Sequence, residues 1–131
     1  MKWHHTSSKY ILLVLLASNI ACANDNVAKA EAVKSQVRID NLIKEIDNII
    51  GKAKCNDDSQ CSYIDVGYKP CGGPAGYKIY SSKDTDIPLL FKKAKEHVML
   101  SREFYIASGL ISDCSVVMPP VVKCNTKCIS E

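Results

Sequence analysis

The chain has 131 residues, 47% of them hydrophobic, with 17 Lys and Arg against 14 Asp and Glu and a formal net charge of +3. That length supports one small domain, and no basic stripe of the kind that binds nucleic acid runs through it. Seven cysteines in so short a chain direct attention to disulfides before catalysis.

The N-terminus reads as an export signal. Lys2, His4, His5 and Lys9 form a basic start, "YILLVLLA" (Tyr10 to Ala17) is an apolar run, and "SNIACA" follows. The run is shorter than the roughly 20 residues of a transmembrane helix. Ala21-Cys22-Ala23 is a small-residue cleavage site, which makes residues 1–23 the signal and Asn24 the first mature residue. The alternative is a lipoprotein signal ending at residue 21, with Cys22 carrying the lipid. Asn19, three residues before that cysteine, is a poor match to such a site. Loss of Lys2 and Lys9 leaves 15 Lys and Arg against 14 Asp and Glu, a nearly neutral mature chain.

Residues 24–54 form a helical arm. There is no proline and no glycine before Gly51, and Val33, Val37, Ile39, Leu42, Ile43, Ile46, Ile49, Ile50 and Ala53 recur at three- and four-residue steps. The apolar face packs on the rest of the chain; the span is short for a coiled coil with a partner. Asn24 to Ala30 reads as a loose tether.

Residues 55–131 form the cysteine-rich α+β domain. "CSYIDVGY" and "YKIYSS" alternate as strands. "KPCGGPAG" lies between them as the tip of a hairpin. In the second strand Tyr77, Ile79 and Ser81 share one face and Lys78, Tyr80 and Ser82 the other. Asp84, Thr85 and Asp86 offer helix caps, Pro88 suits a first turn, and Gly109 is a helix stop. "SDCSVVMPPVVKCNTKCISE" reads as two or three short strands interrupted at Pro119-Pro120. The expected fold is α+β: an N-terminal amphipathic helix, a small antiparallel sheet, and a second helix packed on it.

Six cysteines remain after the signal: Cys55, Cys61, Cys71, Cys114, Cys124 and Cys128. An even set in a small exported chain implies three disulfides, with fifteen pairings open to it. Each bridge is worth about 2–4 kcal/mol, which matters to a core this small.

Reactive chemistry finds little support. His97 is the lone histidine of the mature chain, so no Ser-His or Cys-His pair forms without it. Cys-x-x-Cys is absent, and Asp57-Asp58 lacks calcium-loop spacing; no metal and no cofactor is expected. Asp65, Asp84, Asp86 and Asp113 are the acids a small hydrolase would use, but capping and turns account for most of them.

Recognition remains. Gly72 and Gly73 open backbone angles closed to other residues, Cys71 anchors the loop when bridged, and Pro70 and Pro74 stiffen its flanks. A rigid loop loses little entropy on binding. Tyr68, Tyr77 and Tyr80 lie beside it and are interface-favoured residues. The competing reading is that the two glycines only let the chain pass close to a disulfide or to the second helix.

"DSQC" (Asp58 to Cys61), "CGGPAGYKIYSS" (Cys71 to Ser82), Thr85-Asp86, "SDCSVVMPP" (Ser112 to Pro120), Cys124 and Cys128 together resemble a group of small cysteine-rich exported proteins and lipoproteins of Gram-negative bacteria. The resemblance implies export and disulfides, and it carries over no activity, ligand or catalytic residue. The function expected is a non-enzymatic, disulfide-stapled binding domain of the periplasm or outer membrane. It would engage another protein as an inhibitor or an immunity-type protector through Tyr68, Cys71, Gly72, Gly73, Pro74, Tyr77 and Tyr80. The alternative is a structural envelope protein assembling through its first helix, with membrane attachment through a lipid on Cys22; a small hydrolase ranks below both.

Overall fold

The computed structural model describes residues 8–131, with side-chain surroundings from residue 25 onward. Residues 1–7 of the expected signal, and the side chains of the rest of it including Cys22, lie outside the described residues. Helix α1 is Ser8–Ile50. It runs straight through residues 24–30, where a loose tether was expected, because nothing in that stretch breaks a helix. Among the described residues no helix is long and apolar enough to cross a membrane.

The chain divides into two units, Met1–Lys34 and Ser35–Glu131. The described side chains of the first are largely exposed, Val27 and Val33 among them. The second contains the core.

In the second unit α1 buries Leu42, Ile46 and Ile50, one residue per turn on a single stripe, as the spacing predicts. The helix stops at Ile50, short of the expected end of the arm at residue 54. Gly51 takes φ +60 and donates its N–H to the Asp47 carbonyl at 2.9 Å, a left-handed stop.

A 3₁₀ turn, Asp58–Gln60, leads into β1 (Cys61–Val66), which pairs antiparallel with β2 (Gly76–Ser81) from Cys61↔Ser81 to Val66↔Gly76. This is the expected hairpin with the glycine loop at its tip. Helix α2 is Ile87–Ser108. Asp86 caps it by accepting from the Leu89 N–H at 3.0 Å, and Gly109 ends it at φ +60. Leu90, Ala94 and His97 are its buried residues, and it packs against β1.

The C-terminal strands number two, β3 (Val122–Asn125) and β4 (Lys127–Ser130), paired antiparallel in a sheet of their own. The small antiparallel sheet structure expected of the α+β fold is thus present as two two-stranded sheets. The first of the strands expected after Ser112 is absent. Residues 110–121 carry neither helix, strand nor turn. Pro119 and Pro120 have no N–H to give a ladder, and Cys114 is drawn away to Cys71.

All three expected disulfides form: Cys55–Cys124, Cys61–Cys128 and Cys71–Cys114. The first two fasten β3 and β4 to the chain around β1. The Ala53 carbonyl helps by accepting from the Cys128 N–H at 2.9 Å, and the Thr126 carbonyl accepts from the Cys55 N–H at 3.2 Å.

One apolar cluster joins Ile46 and Ile50 of α1, Ile64 and Val66 of β1, Tyr80 of β2, Leu90 and Ala94 of α2, and the buried cysteines. Ile46 and Leu90 are fully enclosed, each worth roughly 1.5–3 kcal/mol of burial. Ion pairs ring the cluster: Lys78 with Asp47 at 2.7 Å and Lys93 with Glu45 at 2.6 Å. Their partners are half-exposed, so their contribution is small beside the core. The protein is a small disulfide-rich α+β domain, and such bridges belong to oxidising compartments outside the cytoplasm.

Candidate functional site

The hairpin tip, residues 67–75, is shaped from within. The Gly72 N–H donates to the Lys69 carbonyl at 3.0 Å, the Lys69 N–H to the Gly73 carbonyl at 3.3 Å, and the Ala75 N–H to the Val66 carbonyl at 3.0 Å. Gly72 and Gly73 hold φ of +98 and +81, which side-chain-bearing residues rarely adopt. A Cβ on either would meet nothing within 4 Å. That open space excludes close passage of a neighbouring chain as the reason for the glycine pair: the glycines make the turn possible. The close approach is at Gly67, where a Cβ would stand 2.6 Å from that of Ala75.

The base of the tip is fixed to α2. The Gly67 N–H donates to His97 Nδ1 at 3.0 Å inside the core. Nδ1 therefore carries a lone pair and the imidazole is neutral. Burial, and then the Lys78 ammonium, lower its proton affinity, against a smaller opposing pull from Asp40. His97 is a positioning group here. Tyr68 adds an edge-to-face contact with Tyr105, ring centres 6.1 Å apart.

The outer part of the tip and the start of β2 are fixed to residues 110–121 by three links. Cys71 is bridged to Cys114. Lys69 Nζ donates to both the carbonyl and the hydroxyl of Ser115 at 2.7 Å and stands 3.7 Å from the Asp113 carboxylate. The Tyr77 hydroxyl donates to the Val117 carbonyl at 3.3 Å. Burial, then the nearby Asp65 carboxylate and Tyr63, push the Tyr77 phenol above its ordinary value of 10.0, so it remains a donor throughout the physiological range. Asp113 accepts from the Ser115 N–H and hydroxyl, both at 3.0 Å. Those two bonds, and Lys69 after them, hold its carboxyl below the ordinary range.

These links present an apolar ridge. Ile111 is 95% exposed, Val116 81% and Met118 75%, on a segment that the scaffold holds in place. Single exposed apolar residues are ordinary; these three lie on one short segment.

Of the residues expected to bind, Cys71, Gly72 and Gly73 are exposed, and Tyr68, Pro74 and Tyr77 are half-buried around the tip. Tyr80 is a correction. It is buried in the core, its ring edge-on to Phe91 at 6.4 Å, and faces no partner. Strand β2 is covered on both sides at its end, where Tyr80 and Ser81 are both buried, so simple alternation misplaced it. Lys69, Val116 and Met118 were missed. Nothing near Lys69 in sequence announces a partner 46 residues away. Val116 and Met118 carried only a weak signal: Pro119-Pro120 can give no ladder N–H, which marks where a strand is interrupted.

Asp65 stands exposed on β1 opposite Tyr77, and Asp113 is engaged with Ser115 and Lys69. Sulfurs of Cys55, Cys61 and Cys128 lie within 4.8 Å of one another, and all three are committed to disulfides. No protein-family model, no curated protein and no solved structure matches this chain.

Proposed function

We propose that the protein is a non-enzymatic binding domain of the bacterial envelope, exported to an oxidising compartment, that engages another protein through the hairpin tip and the ridge fixed to it. One observation supports this above others. A disulfide, a lysine and a tyrosine converge on a segment whose apolar side chains face outward. The core does not need that arrangement, because Val116 and Met118 bury little. Preorganisation of this kind lowers the entropy lost on association. An inhibitor or an immunity-type protector is the role that suits a small, nearly neutral, rigid exported domain.

The test is capture from envelope extract of the host and from secreted proteins of competing bacteria, with the oxidised protein as bait. The control is a Gly72→Val/Gly73→Val variant, in which both left-handed positions are strained while the surrounding space is open. A partner retained by the native tip and lost with the variant supports the reading. Equal capture by both folded proteins removes the tip from it.

A second reading rests on α1, where Val33 and Val37, four residues apart on one face, are about half exposed. Assembly of an envelope structure through that face predicts an oligomer in sedimentation that Val33→Asp/Val37→Asp converts to monomer. A monomeric native protein removes this reading.

A further inference from the structure

We propose that the Cys71–Cys114 bridge is a site of thiol–disulfide exchange. A protein dithiol opens it while the core and the other two bridges stay intact, and its opening releases residues 110–121 from the hairpin tip. Exchange at this bridge goes beyond the binding reading and does not depend on it.

The three bridges divide by access. Cys61 and Cys128 are both buried, and Cys55–Cys124 joins a buried cysteine to a half-buried one. An attacking thiolate reaches those sulfurs only after the chain around them opens. Cys71 and Cys114 are both exposed. Exposed disulfides are the exchangeable ones, and enclosed ones resist. The backbone adds to the difference at Cys114, whose φ of +55 lies in the left-handed region that a residue with a side chain disfavours. Opening the bridge lets that angle relax.

The bridge also lies outside the core. Neither of its cysteines belongs to the apolar cluster, and none of residues 110–121 does. Once it opens, that segment keeps the Lys69 bonds to Ser115, the Tyr77 bond to Val117, and a bond from the Tyr105 hydroxyl to the Ile111 carbonyl at 3.3 Å. A few hydrogen bonds at the surface open far more readily than a packed core does.

The exchange balances without any further reactant. One thiolate of the dithiol attacks Cys71 Sγ, the bond to Cys114 breaks, and Cys114 leaves as a thiolate that takes a proton from water. The Lys69 ammonium contacts both neighbours of Cys114, Ser115 at 2.7 Å and Asp113 at 3.7 Å. It offsets the Asp113 carboxylate, so the departing thiolate does not face an uncompensated negative charge. The second thiolate of the dithiol then displaces Cys71 from the mixed disulfide, and Cys71 is protonated in turn. Two electrons pass to the bridge; the dithiol ends as a disulfide and the bridge as two thiols.

The experiment uses the full oxidised protein without denaturant, a catalytic amount of thioredoxin as the dithiol probe, and the NADPH-dependent reductase that recycles it. NADPH oxidation is followed, and the new thiols are alkylated and mapped. The native protein is expected to consume a single equivalent of NADPH, with both thiols at Cys71 and Cys114, and Cys71→Ser/Cys114→Ser to consume none. Amide hydrogen exchange in residues 110–121 should then rise by about 10-fold or more, while α1 beyond Ser35 and β1 keep their protection. Oxidised glutathione should restore both the bridge and the protection. The exchange site is overturned if no NADPH is consumed, or if Cys61 or Cys128 is alkylated as early as Cys71. The release is overturned if the bridge opens and exchange in residues 110–121 does not change. Capture of a partner, or its failure, bears on the binding reading alone.

Discussion

Removal of the Cys71–Cys114 bridge isolates the tether from the core, because both cysteines are exposed and their replacement by serine leaves no cavity. The bridge spans 43 residues of sequence. The unfolded chain is already closed by Cys61–Cys128, however, which offers a second route of ten residues from Cys61 to Cys71 and fourteen from Cys114 to Cys128. Two routes in parallel restrict the ends about as much as a single loop of roughly 15 residues, for which the loop-closure relation gives about 3 kcal/mol. Cys71→Ser/Cys114→Ser is therefore expected to lower the unfolding free energy by about 3 kcal/mol. For a unit of this size that is a fall in Tm of roughly 12 °C or more. Urea unfolding of native and variant protein, both with Cys55–Cys124 and Cys61–Cys128 verified by peptide mapping, measures it. A loss below about 1 kcal/mol would show that Lys69 and Tyr77 fix residues 110–121 by themselves, and would refute the loop-closure reasoning.

Partial reduction should open Cys71–Cys114 before the other two bridges, since Cys55, Cys61 and Cys128 are buried; thiol alkylation at low reductant, read by mass spectrometry, would show the reverse order if this is wrong. His97 binds a proton less readily folded than unfolded, so the folded state is at full strength above the ordinary value of 6.5 and weakens as the pH falls below it. Urea midpoints at about pH 7.5 and about pH 5 should differ in the native protein and differ less in His97→Gln, whose amide oxygen still accepts from Gly67 without titrating; an unchanged difference would clear His97. Among the described residues no partner reaches the buried Thr85 hydroxyl, so Thr85→Val should raise stability by about 1 kcal/mol, and a loss would mean the hydroxyl is satisfied in solution. Leu90→Ala, at a fully enclosed position, should cost about 2–5 kcal/mol in the same assay.

Local chemistry was legible wherever a residue acts on its near neighbours. The stripe of Leu42, Ile46 and Ile50, the Asp86 cap, the Gly109 stop and the β1–β2 hairpin all follow from spacing or from backbone preference. So did the number of disulfides, because the six cysteines that follow the expected signal are an even set. Their pairing was not, since it depends on which distant segments meet once the core closes. Tyr80 shows the limit of alternation: a face assigned from a two-residue period assumes solvent on one side, and β2 is covered on both at that point. Lys69 and Tyr77 show the limit of motif reading. Each is an ordinary surface residue in sequence and becomes a tether only because the fold brings a carbonyl 40 or more residues away within hydrogen-bond reach. Local propensity and composition are enough to specify the helices, the hairpin and a cysteine framework. The attachment of the glycine tip to residues 110–121 and the exposure of Val116 and Met118 come from long-range closure by core and disulfides, which sets which segments lie side by side.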